Sequence, residues 1–458
     1  MKHVRDVIKL GAPLMAGLLV EYVMYIADSV MVGRLGTEYL AAVAIGGMVS
    51  EILWAFTWTV AVAVQTFVSR RYGIQTASEV TDRHDLILDT GWAARTGFLF
   101  GFLAGCIALG ASTLAQPLLS VLIEDETTVS LAMQYVQIIR WSMLPAAVFY
   151  AAYGFLAGIG KTRIIMAATI LTNALNILIN YFLIYGALNF PRMGIRGAAL
   201  GTLLAQCFGL MFIAVVFFAQ SEFRQYRIFT GGTIRHFHLL MDMIKAWVPV
   251  TAQNIAAFFV FLVYEGLISR FGTIHLAVIH IIFVLTWAGK TVSGGLAEGG
   301  SILVGNNLGR GDRKEAQRYV YACLYIGLVV GAVLLAVNLL IPGIILKIFN
   351  PEPQVYTQGL KSLRFFAIFI CLGTVGYSLE IVFTHNGWGS FVLLADLASH
   401  IIFTLGFSWA AVSYFNTGIR TVWTGYGVYL AVFAVLLLVG FASGRWADQV
   451  SVETDPVA

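Results

Sequence analysis

The sequence predicts an all-α polytopic membrane protein with twelve transmembrane helices in two pseudo-symmetric six-helix bundles. Three observations carry that prediction. Apolar runs of roughly 18 to 28 residues recur along the chain, each able to cross about 30 Å of hydrocarbon as a helix. Only 11 % of residues are charged while 59 % are hydrophobic, against about 25 % charged in a soluble protein. The segment Arg34-Leu35-Gly36-Thr37-Glu38-Tyr39-Leu40-Ala41 returns, edited, as Arg270-Phe271-Gly272-Thr273-Ile274-His275-Leu276-Ala277. The same spacing relates Pro13 to Pro249, Ala16 to Ala252 and Gly73 to Gly309. One membrane-embedded unit therefore occurs twice, an arrangement common in transporters.

Taken in order, the spans are expected at about 7–33, 40–68, 90–112, 131–156, 164–187, 197–220, 244–269, 276–304, 320–346, 361–386, 390–414 and 424–444. Lys and Arg concentrate on one side of this arrangement, in the N-terminal segment, at Arg70, Arg71, Arg83, Lys161 and Arg163, across 224–245 and across 310–318. Fewer lie on the other side, among them Arg34, Arg192, Arg270 and Arg420. The positive-inside rule then places both termini in the cytoplasm. The longest polar connection divides the chain into a first bundle, 1–220, a cytoplasmic linker, 221–243, and a second bundle, 244–458. Six spans per half give both copies the same orientation, related by an axis along the membrane normal. The N-terminus is short and basic and runs directly into a full span, so no cleavable signal peptide is expected.

Other function classes lack their signatures. Cys106, Cys207, Cys323 and Cys371 lie singly in apolar runs and read as small buried hydrophobes, which argues against disulfides and zinc. The net charge of +4 is dispersed through loops and does not suggest nucleic acid. Gly160-Lys161-Thr162 resembles the end of a phosphate loop, but Phe155 stands where the leading glycine is required and an apolar span precedes it. No HExxH, GxSxG or EF-hand pattern occurs. An intramembrane transferase or protease would need clustered acids at one face or a nucleophile–base pair, so no enzyme is expected. Gly294-Gly295 and Gly299-Gly300 read as sites of close helix contact or bending.

Charges inside spans are costly, so they are functional candidates. Asp28 lies about five residues, roughly 7 Å of helix rise, from the end of the first span. Asn176 and Asn180 are four apart on the fifth span and share a face, with Asn173 beside them. Thr202 falls at a similar depth on the sixth. Carboxylate, amide and hydroxyl oxygens suit Na⁺, and a desolvated Asp also suits proton exchange. The competing view of each Asn and Thr is an interhelical hydrogen bond. Glu21 lies two turns from Asp28 on the same face, with Tyr25 between them; they could line a substrate or proton path. In the second half Glu265 occupies nearly the repeat position of Asp28. Lys290, Glu380, Asp396 and His400 are further candidates, as a proton relay, a substrate anchor or satisfied ion pairs.

These residues also carry a resemblance. Asp28-Ser29-Val30-Met31-Val32-Gly33-Arg34-Leu35-Gly36 resembles the end of the first helix in multidrug and toxin extrusion (MATE) transporters of the bacterial NorM/DinF-like kind. The run from Asn176 to Gly186 and the run from Gly194 to Thr202 resemble that family's fifth and sixth helices. With Pro13, Pro249 and the twelve-span repeat, the match covers nearly the whole chain. It implies a secondary active antiporter of the bacterial inner membrane, without a cofactor and working as a monomer. Such a protein exports small cationic or amphipathic compounds in exchange for Na⁺ or H⁺. Family cation-site roles fall on Asp28, Asn176 and Thr202. Asn180 departs, since several members have a carboxylate there. NorM-type members that use sodium place a Glu where this chain has Ala257 and an Asp near Val375, so their second-half site does not transfer. A lipid-linked oligosaccharide flippase of the same superfamily is the alternative, and would want a more cationic central cavity.

Overall fold

Twelve long apolar helices form among the residues described in the computed structural model, which are 1–77, 83–123, 125–229, 237–349, 353–413 and 419–449. They are α1 (Lys2–Gly33), α2 (Thr37–Gln75), α3 (Arg83–Val121), α4 (Glu126–Gly158), α5 (Thr162–Tyr185) and α6 (Ile195–Ala219) in the first half. In the second half they are α7 (Phe237–Ser269), α8 (Thr273–Gly309), α9 (Arg313–Leu340), α10 (Pro353–Thr384), α11 (Gly389–Ser413) and α12 (Ile419–Ser443). Each coincides with an expected span. Large apolar side chains such as Phe102, Leu178, Met211, Val333 and Val439 stay exposed, as lipid-facing surfaces require.

Local chemistry sets the ends. Asp125 caps α4, accepting from the Thr127 and Thr128 backbone N–H groups at 3.2 and 3.1 Å. The hydroxyls of Thr128 and Thr127 hold its carboxyl down to about 2. Gly36 and Gly272, at the repeated Arg-x-Gly-Thr segments, precede α2 and α8 with φ of 138° and 99°. Only glycine adopts such angles freely, so the repeat marks the same sharp turn twice.

Contacts divide the chain into two compact units: Met1–Met15 with Val248–Ser451, and Ala16–Trp247. Both seams fall beside a helix-interior proline, Pro13 in α1 and Pro249 in α7. Proline removes a backbone donor and kinks a helix, which lets one helix serve two packing environments. The halves of the repeat follow chain order; these units follow contact.

In the unit Ala16–Trp247, α2 packs on α3 and α4 through small residues. A Cβ at Gly154 would lie 2.5 Å from the Ala61 carbonyl oxygen, and one at Gly97 would lie 2.8 Å from Val64. In the other unit α8, α9 and α12 pack around α10 over a core that includes Ile282, Phe366, Phe383 and Tyr426. The glycine pairs of α8 act there as the sequence suggests. Gly295 receives the Met15 backbone, and Gly299 receives the backbone at Gly11. α11 is α-helical over Gly389–Ser399, and His400–Phe407, beginning one turn after Asp396, winds as a π-helix. Such segments often sit at functional sites.

Candidate functional site

In the unit Ala16–Trp247 the three helices α1, α5 and α6 bring four of the sequence candidates into one hydrogen-bonded chain. Asn180 donates Nδ2 to Asp28 Oδ1 at 2.7 Å and to Asn176 Oδ1 at 3.1 Å. Asn176 donates Nδ2 to Thr202 Oγ1 at 3.2 Å, and Thr202 donates to the Ala198 carbonyl at 3.1 Å. Asn180 and Asn176 are 0 % and 1 % exposed, whereas Asp28 is half-buried. The chain therefore runs from an accessible carboxylate into the bundle. Its direction follows from the carboxylate: an ionised Asp only accepts, so it fixes which end of the Asn180 amide faces it. That amide then fixes Asn176, and Asn176 fixes Thr202.

Asn180 Oδ1 is buried without a hydrogen-bond partner among the described residues. It lies against Gly201, where a Cβ would overlap it. Gly197 meets the Leu183 backbone one turn away, so α5 and α6 approach closely enough for the amide to fit. Gly201 is thus part of the site. The signal for it was the Gly197-xxx-Gly201 spacing, a close-contact motif in membrane helices.

Glu21 and Tyr25 lie on an exposed face of α1, with Tyr25 64 % exposed. Glu51 on α2, which sequence reasoning passed over, lies within electrostatic range of both. Tyr135 on α4 shares the fields of Asp28, Glu51 and Tyr25. The face is acidic and aromatic, suited to an organic cation through charge and ring attraction. The cavity of 290 Å³ lined by Tyr72, Gln75, Lys161 and Tyr226 lies at the far end of α2 and does not belong to this face.

The other unit gathers the remaining candidates differently. Lys290 Nζ lies 3.1 Å from Glu380 Oε1, and His400 Nε2 lies 3.8 Å from Asp396 Oδ1. Gln253, on α7, joins the two pairs by donating Nε2 to Glu380 Oε1 at 3.1 Å and to Asp396 Oδ2 at 3.3 Å. Tyr429 donates to Asp396 Oδ1 at 2.8 Å and stacks on His400 with centroids 3.6 Å apart. Lys290 also sits over the ring of Tyr377 at 4.9 Å. Sequence reasoning saw two pairs and missed Gln253 and Tyr429, whose residue types give no local signal. Glu265 stands apart from this cluster. It is half-buried, with His280 as its electrostatic neighbour.

Twelve spans, with carboxylate-bearing polar groups built into the interior of both units, define a polytopic membrane transporter. The particular family follows from comparison with known proteins. The MatE family model matches residues 13–182 and again 249–409, starting at the two prolines of the repeat. The chain belongs to the multidrug and toxin extrusion family, whose members are transporters and not enzymes. Among its relatives, the "Probable multidrug resistance protein NorM" of Agrobacterium fabrum is 27 % identical over 452 residues, 96 % of this chain and 93 % of that protein. The protein of the same description from Thermotoga maritima is 21 % identical over 446 residues, 97 % and 93 % of the two chains. The fold is also that of a mutant of the Vibrio cholerae MATE transporter VcmN, at TM-score 0.85 and 17 % identity, covering 96 % and 97 % of the chains. A MOP superfamily transporter from Pyrococcus furiosus, described as having a binding pocket of reversed polarity, aligns at TM-score 0.81 and 21 % identity over 97 % and 95 %. This chain is accordingly a multi-pass protein of the bacterial inner membrane.

Proposed function

We propose that the protein is an ion-coupled antiporter that exports small cationic or amphipathic compounds by alternating access. It acts as a monomer with both termini in the cytoplasm, and its repeat halves are 1–220 and 244–458. The observation that carries this reading is the chain from Asp28 through Asn180 and Asn176 to Thr202. While Asp28 is ionised it holds the Asn180 amide by a charge-assisted bond. Neutralised by a proton or by Na⁺, it loses that hold, and the directional chain behind it is free to reverse. An ion bound there then has different affinities for two arrangements of α1 against α5 and α6, which is what coupling requires. The acidic and aromatic face with Glu21, Tyr25 and Glu51 supports a cationic substrate, as do relatives described as multidrug resistance proteins.

The test is efflux of a fluorescent cationic dye from proteoliposomes under an imposed Na⁺ or H⁺ gradient. Asp28→Asn is expected to lower gradient-driven efflux by about 5- to 150-fold, the usual range of coupling free energies. Full ion-driven efflux by a folded Asp28→Asn protein would remove Asp28 from the mechanism. The flippase reading has less support, because Lys290, in the middle of α8, is engaged by Glu380.

A further inference from the structure

The cluster of the second unit contains two carboxylates, Glu380 and Asp396, and one ammonium, Lys290. Glu380 is 7 % exposed and Asp396 5 %. One negative charge is therefore left over in a buried, apolar surrounding, where an uncompensated charge is strongly disfavoured. Three of the four carboxylate oxygens have donors. Asp396 Oδ1 takes the Tyr429 hydroxyl, Asp396 Oδ2 takes Gln253 Nε2, and Glu380 Oε1 takes both Lys290 and Gln253.

The fourth oxygen, Glu380 Oε2, has no partner among the described residues, and neither has Gln253 Oε1. Both orphans are acceptors, and they belong to the same acid–amide pair. A single proton on Glu380 Oε2, donated to Gln253 Oε1, would provide for both. It would close the two-bond ring that a carboxylic acid forms with an amide, and it would cancel the excess charge.

The surrounding groups leave the proton no equally good place. Asp396 already has two donors. The His400 Nδ1 is engaged with Thr404 Oγ1 at 3.0 Å, and its Nε2 is 3.8 Å from Asp396. From α12, Tyr426 and Tyr429 face the cluster; Tyr377 does so from α10 itself. The α9 surface meets α10 through Gly327 and Gly331.

We propose that this cluster is a proton-binding site, in which Glu380 carries the proton, Gln253 positions it, and Lys290 is a tethered cation standing where a metal ion would otherwise bind. The proposal deepens the ion coupling argued above by naming the ion at this second site as H⁺. Proton release from Glu380 Oε2 breaks the bond to Gln253 Oε1 and restores the uncompensated negative charge beside Lys290.

Infrared difference spectroscopy of the purified full-length protein, stepped in pH, reads the proton directly. Wild type is expected to show a protonated-carboxyl C=O band that Na⁺ at constant pH leaves unchanged. Glu380→Gln should remove that band. Gln253→Leu should keep it and move it to higher wavenumber, because the acid loses its acceptor. Asp28→Asn should leave it in place, so failure here is distinguishable from failure of the Asp28 reading in dye efflux. Read in the Asp28→Asn background, where the first site contributes no band, a band that survives Glu380→Gln, fails to move in Gln253→Leu, or disappears on addition of Na⁺ would overturn the proposal. The two variants are independent, so if one does not fold the other still decides.

Discussion

The chain through Asp28 and the cluster around Glu380 both build carboxylates into amide networks and differ in the charges they carry. The first has a single carboxylate, half-buried, held by the Asn180 amide. The second has two carboxylates, nearly fully buried, with Lys290 bonded to one of them. A carboxylate served only by neutral donors can exchange its amide partner for a proton or a metal cation. A carboxylate already paired with an ammonium has its cation supplied by the protein. The family model matches both halves of the chain, while the charge carried by the two regions differs. That contrast can be broken from either side.

The largest effect on stability is expected from Lys290. Removing it as Lys290→Ala leaves the one charged carboxylate of the Glu380–Asp396 pair without a counter-charge. The loss should be about 2–3 kcal/mol, below the usual figure for a broken buried pair because Lys290 is 28 % exposed. Denaturation in detergent measures it, and Asp396→Asn in the same chain should recover more than half, because Glu380 already carries a proton. If the double variant is as unstable as the single one, Lys290 acts through packing on Tyr377 and on Trp287, whose ring centroid lies 5.7 Å from its Nζ, and the contrast between the regions is not one of charge.

How far the sequence disclosed these two regions follows from the range of their contacts. All twelve spans were legible, because a membrane helix declares itself through a continuous apolar run. The partners of Asp28 were legible too. Asn176 and Asn180 are four apart on one helix, and Thr202 falls at a matching depth on the next. The second cluster was legible only in pieces. Asp396 and His400 are four apart, but Gln253 reaches Glu380 across 127 residues and Asp396 across 143. No local period encodes such pairs, and a lone Gln or Tyr in a span looks like ordinary packing. Glu51 was missed for a related reason. Its neighbours Glu21 and Tyr25 are on another helix, and an acid at a helix surface gives no pattern by itself.

A smaller effect should come from the first region. Gly201→Ala places a methyl where Asn180 Oδ1 lies, so either the α5–α6 contact opens or the amide turns away from Asp28. Overpacking of this kind costs about 1–3 kcal/mol. The informative measurement is dye efflux at a temperature where the variant remains folded. Efflux should fall with Gly201→Ala and be spared by Gly266→Ala, whose Cβ would meet nothing within 4 Å. Equal efflux in the two variants would mean that the fit between Asn180 and α6 is only packing, and that the amide chain has no part in the cycle.

The smallest effect is expected at Glu265, and it bears on the symmetry itself. Glu265 stands one position from the repeat equivalent of Asp28, and the structure gives it a different setting. Asp28 is anchored by a buried amide at 2.7 Å, whereas half-buried Glu265 has His280 as its electrostatic neighbour on exposed surface. A partly exposed charge of this kind contributes about 0–1 kcal/mol, so Glu265→Gln should change ion-driven efflux by less than about fivefold. The comparison is sharpest when Asp28→Asn and Glu265→Gln are measured side by side under the same gradient. A loss at Glu265 as large as that at Asp28 would mean that depth in the span sets the coupling role. A small loss would mean that the amide chain behind the acid sets it, and that the repeat kept the position of the acid after its partners had changed.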